Sequence, residues 1–150
     1  MSDVSVRIAT GNDLEALARL FDGYRQFYGQ PSDLAGGREF LSERLANLDT
    51  MVLIALAGDV PVGFAHLFPS WTSVGMRRIW ILNDVFVAPE ARERGVGRTL
   101  MVAAAEFGRQ TGAARMILQT ASDNMIAQSL YEDCGWEQDN AMIEYRLELD

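Results

Sequence analysis

The sequence has no lysine, one cysteine and one histidine, and each shortage excludes a class of protein. A single cysteine, Cys134, cannot form an internal disulfide, and a single histidine, His66, leaves no His/Cys cluster with the spacing of a metal site. Without lysine the chain cannot carry a Walker-type phosphate loop. We therefore expect neither a disulfide scaffold nor a bound metal, and for Cys134 and His66 we favour core packing over catalysis.

Long hydrophobic runs are also missing. None approaches the roughly 20 residues that a membrane span needs, and the first residues, Met-Ser-Asp-Val, contain no basic or apolar leader. The formal net charge of −8 argues against a nucleic-acid partner and permits a cationic amine substrate. With 150 residues, of which 49% are hydrophobic, the chain is expected to form a single cytoplasmic domain spanning residues 1–150, with no membrane partner.

What is present centres on residues 79–100, where an apolar strand leads through a turn into a helix. Residues 79–87 are apolar except for Asn83 and Asp84, as expected of a strand covered on both faces, and Pro89 marks its end. From Val96 onward the apolar residues recur at helical spacing, and Gly112 follows the expected end of the helix.

The turn between this strand and helix has the composition of an anion site. Gly95 and Gly97 fall in the first helical turn, where unpaired N–H groups carry the positive end of the helix dipole. Arg92, Arg94 and Arg98 add fixed positive charge in an otherwise acidic chain. A Gly-x-Gly pair alone is weak, but together with the arginines it predicts binding of a pyrophosphate. The third glycine of a dinucleotide-binding fingerprint is lacking.

Two motifs in this half of the chain resemble those of the GNAT family of N-acetyltransferases. Residues 92–97, Arg-Glu-Arg-Gly-Val-Gly, are similar to the family's cofactor motif, Arg/Gln-x-x-Gly-x-Gly/Ala. The second is similar to the family pattern Asn…Ala…Leu-Tyr…Gly-Phe and consists of Asn124, Ala127, Leu130-Tyr131 and Gly135-Trp136. The resemblance implies an α/β fold with a mixed, mostly antiparallel twisted sheet of about six to seven strands, splayed between the fourth and fifth strands and flanked by about four helices.

The resemblance also implies a cofactor site for acetyl-CoA, no metal, and a homodimer. The diphosphate is expected at the turn, and the pantetheine arm along the strand before it. The residues concerned are Val85, Phe86, Val87, Arg92, Glu93, Arg94, Gly95, Val96, Gly97, Arg98, Thr99, Asn124 and Tyr131.

For catalysis, Tyr131 matches the family's general acid. A phenol with a pKa near 10 stays protonated at neutral pH and can donate to a thiolate with a pKa of about 8.5. The base is expected to be Asp84 or a water chain, because many relatives carry Glu-Asp where this chain has Asn83-Asp84. The aromatic residues Tyr24, Phe27 and Tyr28 are candidates for contact with the acceptor, with packing as the alternative.

The resulting hypothesis is direct transfer of acetyl from acetyl-CoA to a primary amine, on either a small molecule or a protein or peptide. Two alternatives remain open. The chain could be a catalytically idle acyl-CoA-binding sensor or partner module, or an α/β domain that binds another phosphate at its arginine turn.

The remaining elements are predicted from periodicity. We expect a first strand over 4–9, a helix capped by Asn12 and Glu15, and a second helix opening at Gly36. A hairpin over 51–56 and 60–68 is followed by an exposed loop over 69–77. The fifth strand is expected over 115–120, and closing strands near Glu137 and over 142–148 complete the sheet.

Overall fold

The computed structural model describes residues 3–150. The elements in chain order are β1 (Val4–Ile8), α1 (Leu14–Phe27), α2 (Leu34–Asn47), β2 (Met51–Ala57), β3 (Val60–Thr72), β4 (Arg77–Val87), α3 (Val96–Gln110), β5 (Arg115–Ile117) and α4 (Met125–Asp133). The mixed α/β architecture with four helices is therefore as predicted.

The strands form one sheet in the order β1-β2-β3-β4-β5. The first three pairings are antiparallel and the last, β4 with β5, is parallel. The prediction of six to seven strands is wrong, because the described chain contains five. Residues 137–150 are exposed and belong to no strand, so the expected closing strands near Glu137 and over 142–148 do not form. A strand needs an adjacent edge to pair with, and alternating sequence alone does not supply one.

The two faces of the sheet carry separate cores, as the period of two along a strand requires. Leu53, Ala55 and Leu67 face a cluster with α3, whereas Ile54 and Phe64 face a cluster that includes α1 and α2. Burying a leucine, isoleucine or phenylalanine side chain contributes about 1.5–3 kcal/mol. Both faces are thus covered, as the apolar strands predicted.

The helix starts differ from the prediction because other side chains cap them. Thr10 and Asp13, rather than Asn12 and Glu15, form a capping box, on the short 3₁₀ turn that precedes α1. The side chain of Asp33 accepts a 3.0 Å hydrogen bond from the amide of Gly36, so α2 begins before the two glycines. Asp is a strong N-cap because its carboxylate satisfies an otherwise unpaired N–H group.

A β-bulge interrupts the pairing of β3 with β4 next to the predicted catalytic segment. His66 pairs with Asp84 but Leu67 pairs with Leu82, so Asn83 has no residue opposite it. An unpaired extra residue bends and twists its strand. The hairpin itself is longer than expected: β3 continues to Thr72, where a loop was predicted. The Arg78 guanidinium stacks over Trp71 at 4.2 Å and favours this extension.

Candidate active site

A cavity of about 230 Å³ lies where β4 and β5 separate. The two strands pair only from Ile79–Arg115 to Ile81–Ile117, and the cavity lies beyond the last pair. Its wall comprises Leu82, Asn83 and Val85 of β4, residues 118–121 after β5, Tyr24 and Tyr28 at the end of α1, and Tyr131 of α4. The structure therefore brings four predicted site residues to one cavity: Tyr24, Tyr28, Val85 and Tyr131.

Tyr131, in the cavity wall, is partly buried, and the centroid of its ring lies 6.4 Å from that of Trp136. Burial raises the pKa of Tyr131, and the neighbouring Tyr28 raises it further, while hydrogen bonding with Thr120 acts in the opposite direction. The phenol thus remains a proton donor throughout the neutral range.

Asp84 follows the unpaired bulge residue Asn83 in β4 and does not line the cavity. The Tyr24 hydroxyl donates a 2.6 Å hydrogen bond to Oδ1 of Asp84, and the side-chain Nδ2 of Asn83 donates a 2.9 Å hydrogen bond to Oδ2 of Asp84. Nδ1 of the fully buried His66 lies 3.3 Å from the same Oδ2. The carboxylate reaches the cavity only through Tyr24 and Asn83, both of which are in the wall.

These contacts set the ionisation states of Asp84 and Tyr24. Burial raises the pKa of Asp84, but His66 and the hydrogen bonds from Tyr24 and Asn83 lower it by more, so the pKa lies below its usual value of 3.8. Burial and the Asp84 carboxylate raise the pKa of Tyr24 far above its usual value. At neutral pH the group is therefore a carboxylate held by a neutral phenol.

The arginine-glycine turn opens onto the first turn of α3. Gly95, at φ 79°, is the N-cap and provides no side-chain cap for the helix. The first N–H groups of a helix lack intrahelical acceptors, so this end suits an anion. Arg94 and Arg98 are exposed beside it, and Arg98 also lies 3.5 Å from Asp133.

Other residues of the turn have structural contacts. The Arg92 Nε donates a 3.0 Å hydrogen bond to the carbonyl oxygen of Val87, and its guanidinium lies over Phe27 at 5.5 Å and Phe86 at 5.6 Å. Arg92 thus ties the turn to the end of β4. The Thr99 hydroxyl donates to the carbonyl oxygen of Gly95, within the helix.

Four further predicted residues lie away from the cavity wall or are used by the fold. A Cβ on Gly97 would lie 3.2 Å from Leu130, so this glycine allows α3 and α4 to approach. The Asn124 side chain accepts from the amide of Ala127 and caps α4. Phe27 is 61% exposed and sits outside the cavity, against Arg92. Glu93 is exposed and has a left-handed φ of 63°.

Sequence reasoning missed Asn83 and residues 118–121 as cavity walls, and His66 as a neighbour of Asp84. Residues 118–121 line the cavity because β5 ends at Ile117 rather than near Thr120. A lone histidine opposite an acidic residue on the next strand was the available signal for His66. Cys134 packs against the α3-side core, as expected.

Within residues 3–150, no group of three or more His, Cys, Asp or Glu side chains is placed to hold a metal ion. None of the helices found in that range is both long and apolar enough to cross a membrane.

Comparison with known proteins gives a consistent result. The family model "Acetyltransferase (GNAT) family" matches residues 16–136. The chain is 44% identical over 146 residues to the uncharacterized N-acetyltransferase YhfO of Bacillus subtilis (strain 168), covering 97% of this chain and 98% of the relative.

Solved structures agree with this assignment. The crystal structure of a probable acetyltransferase superposes with a TM-score of 0.93 at 39% identity, covering 97% of this chain and 98% of the other. The aminoglycoside N-acetyltransferase AAC(6')-Iy in complex with CoA superposes with a TM-score of 0.78 at 26% identity, covering 98% and 96%. Together with the two sequence motifs and the cavity between β4 and β5, these matches show that the chain belongs to the acetyltransferase (GNAT) family and is an acetyl-CoA-dependent N-acetyltransferase.

Proposed function

We propose that the protein transfers acetyl directly from acetyl-CoA to a primary amine in the cavity between β4 and β5, with Tyr131 as general acid. The observation that carries the proposal is the position of Tyr131 in the wall of that cavity, which Asn83 and Val85 of β4 also line. The amine nitrogen forms a bond to the acetyl carbon as the carbon–sulfur bond breaks. The departing thiolate takes its proton from Tyr131, which regains one from solvent.

The cofactor is proposed to bind along one line from β4 to α3. Val85, Phe86 and Val87 offer backbone groups to the pantetheine arm, and the uncapped α3 N-terminus accepts the diphosphate. Arg94 and Arg98 supply charge there, with Glu93, Gly95, Val96 and Gly97 shaping the turn. Arg92 and Thr99 act by holding it, through Val87 and Gly95 respectively. Asn124 acts by starting α4 at the position that presents Tyr131.

We propose two routes for the proton that leaves the amine, both of which involve Tyr24 and Asp84. In the first, Asp84 receives the proton through the Tyr24 hydroxyl that bonds to it. In the second, Tyr24 and Asn83 hold a water chain that carries the proton to solvent, and Asp84 only orients them. Either way Asp84 acts through another group, because its carboxylate does not line the cavity.

The acceptor is proposed to be a small-molecule amine. Tyr24 and Tyr28 give the cavity two aromatic wall residues that suit a cation, and the net charge of −8 favours one. A cavity of about 230 Å³ takes one small group, so a protein or peptide amine would have to enter as an extended end. The aminoglycoside N-acetyltransferase among the structural relatives supports the small-molecule class. A single cytoplasmic domain that acts as a homodimer is part of the same proposal.

The test is a panel of primary amines incubated with acetyl-CoA, in which release of free CoA thiol is measured. Amine-dependent release is expected, together with a rise in melting temperature with acetyl-CoA, since a ligand at 100 times its Kd stabilises the fold by about 2.7 kcal/mol. Stabilisation by acetyl-CoA with no release for small-molecule or peptide amines would favour the idle-binder alternative. The absence of both effects would contradict the proposal.

A further inference from the structure

Asp22 is a buried carboxylate that has no part in the chemistry proposed above. It lies in the third turn of α1 and is 8% exposed, and no other acidic residue within 3–150 is buried. Its Oδ1 accepts a 2.8 Å hydrogen bond from the amide of Asp33. Its Oδ2 accepts a 2.7 Å bond from the Ser32 hydroxyl and a 3.0 Å bond from Nε2 of Gln26. Hydrogen bonds of this kind replace the water that a carboxylate loses on burial.

These hydrogen bonds keep Asp22 ionised. The bond from the Ser32 hydroxyl, followed by the bond from the amide of Asp33, holds the pKa of Asp22 below its usual 3.8, although burial acts in the opposite direction. Hydrogen bonds to a charged acceptor are stronger than those between neutral groups. Gln26 belongs to α1 itself, whereas Ser32 and Asp33 belong to the connection between α1 and α2. Asp22 therefore anchors that connection to α1.

The connection, residues 28–33 and here termed the α1–α2 loop, has no buried residue of its own, since all of its residues are exposed. A loop with few buried contacts opens easily. Polar bonds hold this loop instead. Besides the two bonds to Asp22, the Arg25 side chain donates a 3.1 Å bond to the carbonyl oxygen of Pro31, and the amide of Gln30 donates a 3.0 Å bond to the carbonyl oxygen of Arg25. Among these groups Asp22 is the buried one, so it is the fixed point of the network.

The loop begins with a residue of the cavity wall. Tyr28 lines the cavity, and the centroid of its ring lies 5.1 Å from that of Tyr24. Tyr28 is 56% exposed, so packing alone does not fix its position. Gly29 follows at a left-handed φ of 83°, which ends α1 and turns the chain back along it. The place of Tyr28 in the wall thus depends on where the rest of the loop is held.

We propose that Asp22 is a positioning residue for the acceptor: by holding the α1–α2 loop it fixes Tyr28 in the cavity wall, and so sets the affinity for the amine. The inference rests on the proposed function, in which Tyr28 is part of the acceptor wall. The residues proposed for acetyl-CoA lie on β4, α3 and α4 and in the turn before α3, outside the loop. A ligand that binds only the ordered loop loses apparent affinity in proportion to the fraction of molecules in which the loop is ordered.

Ser32 and Gln26 provide a matched pair of variants, because both donate to the same oxygen of Asp22 and only Ser32 belongs to the loop. Ser32→Ala is expected to raise the KM for the amine by about 10-fold, the factor for an ordered fraction that falls to roughly a tenth. The KM for acetyl-CoA and kcat should stay unchanged. Gln26→Ala removes a bond within α1 and should leave all three constants at their wild-type values. Ser32→Thr keeps the hydroxyl and should retain the wild-type KM for the amine.

Asp22→Asn tests the carboxylate itself. The amide keeps one acceptor oxygen for the amide of Asp33 but has no second oxygen for the Ser32 hydroxyl, so the KM for the amine should again rise while kcat is kept. Urea unfolding checks that the variant is folded, and Ser32→Ala, at an exposed position, decides the question if it is not. An unchanged KM for the amine in Ser32→Ala, or an equal rise in Gln26→Ala, would overturn the proposal.

Hydrogen exchange measures the loop without any amine. The amides of Gln30 and Asp33, both bonded to α1, should exchange faster in Ser32→Ala and Asp22→Asn than in the wild type or in Gln26→Ala. If they do and the wild type acetylates no amine, the proposed function fails while Asp22 still orders the loop. If the wild type acetylates an amine and both variants keep the wild-type exchange rates and KM, the role of Asp22 fails and the proposed function stands.

Discussion

The Tyr24 hydroxyl donates a 2.6 Å hydrogen bond to Oδ1 of Asp84 and so links α1 to the bulge of β4 across 60 residues of sequence. The bond fixes a cavity-wall phenol by means of a carboxylate that lies outside the cavity. Because a neutral phenol bonds to a charged acceptor in a partly buried site, the interaction should be stronger than an ordinary hydrogen bond.

A double-mutant cycle measures this bond. Tyr24→Phe and Asp84→Asn should each destabilise the fold, and their effects should be less than additive. The expected coupling is about 1.5–3 kcal/mol, as for hydrogen bonds to charged groups. Urea unfolding of the four proteins supplies the values. Additive effects would show that the bond contributes nothing to stability.

The pH dependence of Asp84 follows from its lowered pKa. Because the folded-state pKa lies below the usual 3.8, the carboxylate contributes stability that is fully present above that value and is lost as the pH falls through the folded pKa. The stability difference between wild type and Asp84→Asn should be constant from roughly pH 5 to 8 and shrink below the usual pKa. Chemical denaturation at several pH values checks this, and a difference that already falls near pH 6 would contradict the assignment.

The same pKa separates the two routes for the amine proton. If the rate falls on the acidic side with an apparent pKa near neutrality, that pKa cannot belong to Asp84, whose pKa lies below 3.8. The same fall in rate should then be seen in Asp84→Asn. If Asp84 is the proton acceptor, the variant should lose about 10²–10⁴-fold in kcat. A loss well below 10-fold would instead favour the water chain.

Tyr131→Phe tests the general acid. The variant keeps the ring and should bind acetyl-CoA within a few-fold of wild type by calorimetry, while kcat falls by about 10²-fold because the thiolate loses its proton donor. Tyr28→Phe is the matched control, since it removes another hydroxyl from the same cavity wall. Equal rates for wild type and Tyr131→Phe, with chemistry rate-limiting, would leave Tyr131 as a packing residue.

Charge reversal at the two ends of α3 tests the diphosphate site. Arg94→Glu places a negative charge beside the helix N-terminus and should raise the Kd for acetyl-CoA by at least about 10-fold, with a smaller effect at high salt. Arg109→Glu makes the same change in the last turn of the helix and should leave the Kd unchanged. Identical effects of the two variants would indicate a general charge effect instead of a site.

Gly97→Ala distinguishes packing from ligand approach. The new methyl group would lie 3.2 Å from Cδ2 of Leu130, so that side chain must shift by a few tenths of an ångström. Overpacking costs about 1–3 kcal/mol and alanine's better helix propensity offsets about 1 kcal/mol of it, so the expected net loss of stability is up to about 2 kcal/mol. Thermal unfolding measures it. An unchanged melting temperature combined with weaker acetyl-CoA binding would show that Gly97 serves the ligand alone.

Local chemistry was sufficient to predict the elements that carry their own signals. The apolar segment 79–87, Pro89 and the Arg-Gly turn identified β4 and the start of α3, because proline, glycine and periodicity act within a few residues. The aromatic residues Tyr24 and Tyr28 were assigned to the acceptor side from the resemblance, and both line the cavity. Cap identities were missed because several Asx and Thr side chains compete within one turn, and only the final backbone selects among them.

The sequence by itself determined the family, the α/β order of elements and the motif residues, since these depend on residue types at fixed short spacings. Alternation along β4 already placed Asp84 on the opposite face from Asn83. Only the tertiary structure decided that Leu82 and Asp84 face opposite sides of the sheet, because the unpaired Asn83 changes the alternation that a regular strand would have given. The tertiary structure likewise decided that residues 142–149 pair with no strand in the described part of the chain. A strand forms only by hydrogen bonding to a neighbouring sheet edge, and its own residue pattern does not say where that edge lies. Its location depends on how the whole sheet is assembled.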